Sequence, residues 1–427
     1  MGKVSIRGKI FMSLVVCACL CLVFGTVAWA AAPTATTRQL TTSSYDSWFG
    51  SWSPDGQWVV YQQEGSGSYN YGNIHKIRVD GTGDLTLTGG YYCDSKPSFS
   101  PDGTKIVFQR HQSPAGVSNS EEKASIWVMN ADGRRQLLVA KYMRGDKGGA
   151  QWPVWSPDGT HIAYWCGKED LKALCVIRPD RSGLLKLTSP TFGTSPHGFV
   201  NWVPGGSNIL LSLKNEANTF GHNRHIALVS AYGWGVEWLT DQNGDACQLN
   251  EKMSPNGKKI AYQDDADKRS DIWVMRANGS NRVRLTDAAS TSRCYTSPDW
   301  SPNGRYIVYW ALDNYIYGTI NIMTADGQKS LVLMNDPSLR NNDNDSRFLL
   351  RFNRQGTRIL FQGDDTLGRA QLYVLDLNIG DDDSDALLNW EEDVWGTSRI
   401  DADSDDDGVN DGTEVRRGTD PLDPGSV

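Results

Sequence analysis

Short apolar runs alternate with tight polar turns along most of this chain, and the alternation follows one repeated phrase. An aromatic residue enters a Ser-Pro-Asp/Asn-Gly turn, and a short apolar strand leaves it. Trp52–Tyr61 reads WSPDGQWVVY, Phe99–Phe108 FSPDGTKIVF, Trp155–Tyr164 WSPDGTHIAY and Trp300–Tyr309 WSPNGRYIVY. Met253–Tyr262, MSPNGKKIAY, differs only in its first residue, and Trp202–Leu211 and Phe352–Phe361 are weaker copies. The turns begin at residues 53, 100, 156, 203, 254, 301 and 353. Self-similarity at a period of about 50 residues predicts a propeller or solenoid.

Two further signals complete each unit. A second apolar run follows and ends in another polar turn, as in Ile126-Trp127-Val128-Met129 before Asn130-Ala131-Asp132-Gly133. A Leu-Thr pair then closes the unit at Leu87-Thr88, Leu187-Thr188, Leu239-Thr240 and Leu285-Thr286. With the segment before each turn counted as a strand, each unit has four antiparallel strands, and Asp-Gly or Asn-Gly supplies the positive φ of the turns. The seventh unit stops after Leu375 without its Leu-Thr strand, while Arg38-Gln39-Leu40-Thr41 stands unassigned ahead of the first unit. The N-terminal segment is therefore expected to become the outer strand of the last blade and shut the ring, which removes an open sheet edge.

The pairing of WSPDG with IWVM-x-x-DG and a closing LT resembles the TolB-like β-propeller family over about residues 37–380. The resemblance implies an all-β propeller. Seven blades follow from the seven turns, with six as the alternative, because the family is usually described with six. It implies little about chemistry, since propellers of this kind serve as binding platforms, peptidase gates and occasionally enzymes.

Composition narrows the function. Residues 381–427 hold sixteen acids against three arginines, a net of −13 against −8 for the whole chain, so the remainder is near neutral or slightly basic. A nucleic-acid groove has no electrostatic support. Lys3, Arg7 and Lys9 followed by the apolar run Ile10–Phe24 and Ala28-Trp29-Ala30 read as a cleavable export signal over residues 1–30. A periplasmic or extracellular protein with no membrane-spanning segment after cleavage is expected. Export permits disulfides: Cys166 and Cys175 are placed to bridge one hairpin, Cys93 is expected as a thiol, and the pairing of Cys247 and Cys294 stays open. No Gly-x-Ser-x-Gly elbow occurs, which argues against a serine peptidase site.

The turns share one rim, so the variable loops of the other rim are the expected binding face for a protein or glycan partner. Trp48, Tyr69, Tyr71, Tyr91, Tyr92, Tyr142 and Tyr295 fall there, either to stack on a ligand or to pack the mouth of the ring. His197, His222 and His225 also fall there and form a candidate metal set. The alternative function is a metal-dependent, oligogalacturonate-type polysaccharide lyase with a basic residue such as Lys96, Lys141 or Arg144. A third reading is a structural module of an envelope assembly.

The clearest chemistry lies in the tail, after an acidic linker expected over 381–400. Asp403–Glu414 reads DSDDDGVNDGTE: Asp403, Asp405 and Asp407 at places 1, 3 and 5, Gly408 at 6, the Val409 carbonyl at 7, Asp411 at 9 and Glu414 at 12. That is the template of a calcium loop, because calcium takes six to eight hard oxygens and this spacing wraps them around one ion. The following EVRRGTDPLDP, Glu414–Pro424, completes a resemblance to bacterial thrombospondin type 3 repeats over residues 401–427, which implies further oxygens from Asp401, Asp420 and Asp423. The expectation is an exported, non-catalytic propeller with calcium in its tail.

Overall fold

The computed structural model describes residues 33–65, 72–90, 92–111, 124–141, 149–168, 171–188, 200–214, 224–233, 235–240, 247–265, 269–291, 293–313, 317–336 and 349–426. Residues 1–30, expected as an export signal, therefore lie outside the described residues. Seven antiparallel sheets of four strands form the blades of a β-propeller. Blade one comprises Ser47–Trp52, Trp58–Gln63, Asn73–Arg78 and Leu85–Thr86. The next five follow the same order from inner to outer edge. Seven blades, not six, is the observed count, because the weaker copies at Val203 and Asn353 form the same inner hairpins, Asn201–Trp202 with Asn208–Lys214 and Leu350–Phe352 with Arg358–Asp364.

Local hydrogen bonding explains the repeated phrase. The Ser53 hydroxyl donates to Asp55 (2.5 Å) and accepts the Trp58 N–H (2.9 Å), while Asp55 accepts the Gln57 N–H (3.0 Å). Ser100 with Asp102, Ser156 with Asp158, Ser254 with Asn256 and Ser301 with Asn303 repeat the bond. The Ser156 hydroxyl is the main cause that holds the Asp158 carboxyl down to about 2. The glycine that follows has φ near +70° in all seven turns, from Gly56 to Gly356, a region closed to most side chains.

The aromatic that opens the phrase ties neighbouring blades. The Trp52 indole donates to the Arg351 carbonyl, Trp202 to Val154 and Trp300 to Lys252, at 3.1, 3.3 and 3.0 Å. Apolar residues of the second and third strands fill the space between blades, among them Val60, Ile106, Phe108, Leu211, Ile260, Ile307 and Phe361, all fully buried.

Closure follows the expected long-range contact. Ala35–Gln39 pairs antiparallel with Ala370–Leu377, with Thr37 opposite Leu375, and makes the fourth strand of blade seven. The closing threonine has the same task in every blade where it occurs. The hydroxyls of Thr88, Thr188, Thr240 and Thr286 accept the N–H of Ile74, Leu174, Ile226 and Ile272, and Thr41 accepts that of Leu372 at 2.9 Å. Thr41 also donates to Gln371 (2.8 Å), and Leu40 is buried in the adjoining core.

Cys166 and Cys175 form a disulfide across the middle hairpin of blade three, with Cα atoms 6.0 Å apart. Cys93, Cys247 and Cys294 are free. Burial pushes Cys247 up to about 11 and raises Cys93, so both rest as thiols rather than reactive thiolates.

Thr41→Val should cost about 1–2 kcal/mol, because it takes away the acceptor of the Leu372 N–H and the donor to Gln371 Oε1. The exposed Thr37→Val should stay within about 0.5 kcal/mol. Denaturant midpoints of the two variants check this.

Candidate metal centre

The tail is folded onto the ring rather than hanging from it. Residues 381–400, expected as a linker, contain the helix Asn389–Trp395, in which Trp390 and Val394 are buried. Trp390 meets the Tyr306 ring edge-on at 4.8 Å, and the Trp395 indole donates to the Tyr306 hydroxyl at 3.1 Å. The Trp390 N–H donates to the Asn378 carbonyl, Asn378 N–H donates to Thr34, and the Thr34 hydroxyl donates to Asp393 (2.6 Å). The tail thus grips blade six, blade seven and the start of the closing strand together. A composition-only reading missed this because the acids around Trp390 dominate the segment, although the Leu387-Leu388-x-Trp390 apolar run was there to see.

The loop Asp403–Glu414 follows, and a helix Asp411–Arg417 leaves it. Carboxylate oxygens of Asp403, Asp405 and Asp407 lie within 4.8 Å of one another. Gly408 has φ +93°, the sharp turn expected at place 6, and its N–H donates to Asp403 (2.8 Å). The Val409 N–H donates to Asp407 (2.8 Å), which fixes the Asp407–Val409 turn. Glu414 is fully buried, and its Oε1 receives only long bonds from Thr419 (3.5 Å) and Ser426 (3.4 Å). Glu414 Oε2, Asp405 Oδ2 and Asp407 Oδ2 are shielded from solvent and accept no hydrogen bond from any described residue. Burial, and then the charges of Asp405 and Asp407, raise the Glu414 carboxyl above its ordinary range. Burial and the charge of Asp407 do the same to Asp405. Clustered carboxylates of this kind need a proton or a cation, and the all-oxygen set fits a hard divalent ion.

Asp411 stands at place 9, from which calcium loops often reach the ion through a water. Its two oxygens accept the backbone N–H (2.9 Å) and hydroxyl (2.6 Å) of Ser404, so it braces the loop from within. Asp420 lies 3.8 Å from Lys329, and Asp423 accepts the Gly425 N–H. Asp401 is exposed. None of these three belongs to the group that Asp403, Asp405 and Asp407 form within 4.8 Å.

The rim holds less of the expected constellation. His197, His222 and Arg144 lie outside the described residues, as do Tyr69, Tyr71, Tyr91 and Tyr142. His225 is fully buried on the third strand of blade four, edge-on to Trp238 at 6.4 Å. Lys96 sits inside the ring, its ammonium 3.6 Å from the Trp152 ring and 5.7 Å from Phe49. Phe49, Lys96 and Trp152 all sit at the β-bulge of an inner strand with φ near +55°, which turns them toward one another. Lys141 is exposed at the end of blade two. No basic residue and histidine set converges among the described residues.

Trp48 and Tyr295 are buried, the packing alternative, whereas Tyr45, Tyr92 and Leu367 are exposed on the variable rim. Near the ring closure, Gln39, Thr42, Asp336, Asp364, Asp365, Thr366, Arg369 and Tyr373 line an open pocket of about 380 Å³. Arg369 is held by Asp365 (2.6 Å), and burial with the nearby acids pushes the Tyr373 hydroxyl up to about 12. Sequence reading passed over this pocket because its walls come from both ends of the ring and meet only on closure. The acids of the Asp364–Arg369 turn were its one local signal.

Residues 114–346, more than half of the chain, match the family model for the TolB beta propeller domain. The chain belongs to the TolB beta-propeller domain family. An uncharacterized protein of Agrobacterium fabrum is 30% identical over 113 residues, covering 26% of this chain and 37% of that protein. The Tol-Pal system protein TolB of Francisella tularensis is 25% identical over 256 residues, covering 59% of this chain and 53% of TolB. This TolB-family chain thus spans between about a third and a half of the length of these curated relatives. An oligogalacturonate lyase solved in complex with manganese superposes with a TM-score of 0.62 at 12% identity, covering 81% of this chain and 94% of the lyase, a likeness of fold alone.

Trp390→Ala should cost about 3–5 kcal/mol as a buried aromatic deletion. It should also make the tail after Gly380 sensitive to protease while the ring stays intact, as limited proteolysis with mass spectrometry would read.

Proposed function

We propose that this chain is an exported, non-catalytic TolB-type propeller that binds a protein or glycan partner through its variable rim and holds calcium in the loop Asp403–Glu414. The observation that carries the binding face is the contrast between the two rims. On one, the Ser-Pro-Asp-Gly turns spend their polar groups on their own backbone. On the other, exposed Tyr45, Tyr92 and Leu367 share a rim with an open pocket walled by three acids. Exposed aromatic and apolar side chains beside unfilled polar space are what a partner surface requires. Similarity to TolB proteins of the Tol-Pal system supports a protein as the first partner class to test. Calcium is supported by the buried, unbonded oxygens of Glu414, Asp405 and Asp407, with Asp403 and the Val409 carbonyl as the remaining ligands. Periplasmic or extracellular residence follows from the signal read in residues 1–30, and no described helix is long and apolar enough to cross a membrane.

The lyase reading asks for histidines and a base converging at the rim. The buried position of His225 and the aromatic seat of Lys96 give it no support.

Photoreactive side chains placed at Tyr92 and Leu367 should crosslink a partner in the native host, whereas the same probe at Gln57 or Thr160 on the opposite rim should not. Equal adducts on both rims, or turnover of oligogalacturonate with added manganese, would overturn the reading.

Calorimetric titration should show saturable calcium binding to the purified chain, and Glu414→Gln should remove one binding event. A titration unchanged by that substitution would reject calcium at 403–414.

A further inference from the structure

Residues 381–392 repeat the plan of 403–414 at an offset of 22 residues. Asp381, Asp383 and Asp385 take the places of Asp403, Asp405 and Asp407, Leu387 that of Val409, Asn389 that of Asp411, and Glu392 that of Glu414. The hydrogen bonds repeat as well. The sixth N–H donates to the first aspartate (Ala386 to Asp381, 3.2 Å; Gly408 to Asp403, 2.8 Å). The seventh donates to the fifth (Leu387 to Asp385, 2.7 Å; Val409 to Asp407, 2.8 Å). The ninth side chain accepts the second N–H, from Asp382 to Asn389 (3.2 Å) and from Ser404 to Asp411 (2.9 Å). Even Ala386 adopts φ +71°, where the other loop has Gly408. A seven-residue helix follows each loop and ends at a left-handed glycine, Gly396 or Gly418.

Loop shape alone names no ligand, but Glu392 does. Its side chain is fully buried, and neither carboxylate oxygen accepts a hydrogen bond from any described residue. It lies close enough to Asp383, Asp385 and Asp381 to feel all three charges. Asp381 Oδ1 and Asp383 Oδ2 are likewise shielded and unbonded. Arg399 is the nearby cation that acts on Glu392, and its guanidinium is engaged by Asp393 through two bonds of 2.9 and 2.5 Å. Carboxylate oxygens of Asp381, Asp383 and Asp385 lie within 4.8 Å of one another. A buried carboxylate without a donor is a costly arrangement unless a cation completes it.

We infer that Asp381, Asp383, Asp385, the Leu387 carbonyl and Glu392 hold a second divalent cation of calcium type. The donors are all oxygens, which excludes sites built for thiophilic or imidazole-bound metals. A carboxylate at place 12 that can offer both oxygens suits calcium's high coordination number better than magnesium's compact octahedron. The inference stands on its own residues and does not rest on the reading of 403–414.

The site has a mechanical consequence. Glu392 lies in the helix whose Trp390 and Trp395 dock on Tyr306, and whose Asp393 receives the Thr34 hydroxyl. A cation here fastens that helix to blades six and seven beside the ring closure. The two loops also touch: Asp385 accepts the Gly412 N–H (2.6 Å), and a Cβ on Gly412 would sit 2.4 Å from the Asp385 carbonyl oxygen, so only glycine lets them meet.

Calorimetry and thermal melting of the purified chain with calcium test this, using Glu392→Gln, Glu414→Gln and the double variant. Two cations should bind the parent chain, one each single variant and none the double. Affinity at the altered loop should fall by more than about 100-fold, beyond the effect of changing an outer partner. Calcium should raise the melting temperature of the parent and of Glu414→Gln, and do so far less in Glu392→Gln. One cation in the parent, kept in Glu392→Gln and lost in Glu414→Gln, would overturn this site while leaving the other. Absence of binding in every protein would overturn both. Glutamine matches the shape of glutamate and carries no charge, so in chelator Glu392→Gln should melt at or above the parent. Should Glu392→Gln fail to fold, Asp383→Asn at the half-buried face of the loop gives the same count.

Discussion

The pairing of Ala35–Gln39 with Ala370–Leu377 holds the architecture together. Six blades draw all four strands from one stretch of chain, but the seventh would have three strands and an open edge without the N-terminal segment. Unpaired edge N–H and C=O groups would face water or another chain. Thr41 satisfies Leu372 as Thr88, Thr188, Thr240 and Thr286 satisfy their own third strands, so closure reuses a bond already written into the repeat. The rim pocket depends on it directly: Gln39 and Thr42 come from the N-terminal side, Asp364 to Tyr373 from the C-terminal side.

The tail depends on the same seam. Thr34 and Asn378, side by side at one end of the closing pair, both bond to the tail helix. Cation binding at the loops would therefore act on ring stability as well as on the tail, because filling the loops fixes the helix that braces the seam. In the absence of a cation, each loop has clustered carboxylates that repel one another around a buried glutamate.

The division of labour between rims follows from chemistry rather than from shape. Turns that satisfy their own hydrogen bonds and expose no large apolar side chain offer little to a partner, whereas loops of the other rim vary in length and carry exposed Tyr92 and Leu367. Membership of the TolB beta-propeller domain family fits a scaffold of this kind, and the chemistry of a site still has to be argued residue by residue.

Repeats were legible in the sequence because each is built by bonds within a few residues: Ser53 to Asp55, Gly56 at positive φ, Thr88 to Ile74 within one blade. Blade count and ring closure followed by counting, since a missing outer strand at one end matched a spare one at the other. The loop Asp403–Glu414 was legible for the same local reason. Its twin at Asp381–Glu392 was not, because Ala386 replaces the diagnostic glycine and consecutive acids hide the alternate spacing; only the buried Glu392 sets it apart from a charged linker. Asp411 read as a ligand, and its bond to Ser404, which braces the loop, was not legible from spacing. His225 read as a rim histidine, yet it lies in a strand between sheets. Local spacing determines which turns and loops can form, but burial, pocket walls and the partners of each polar side chain arise from segments hundreds of residues apart, and only the closed ring brings those together.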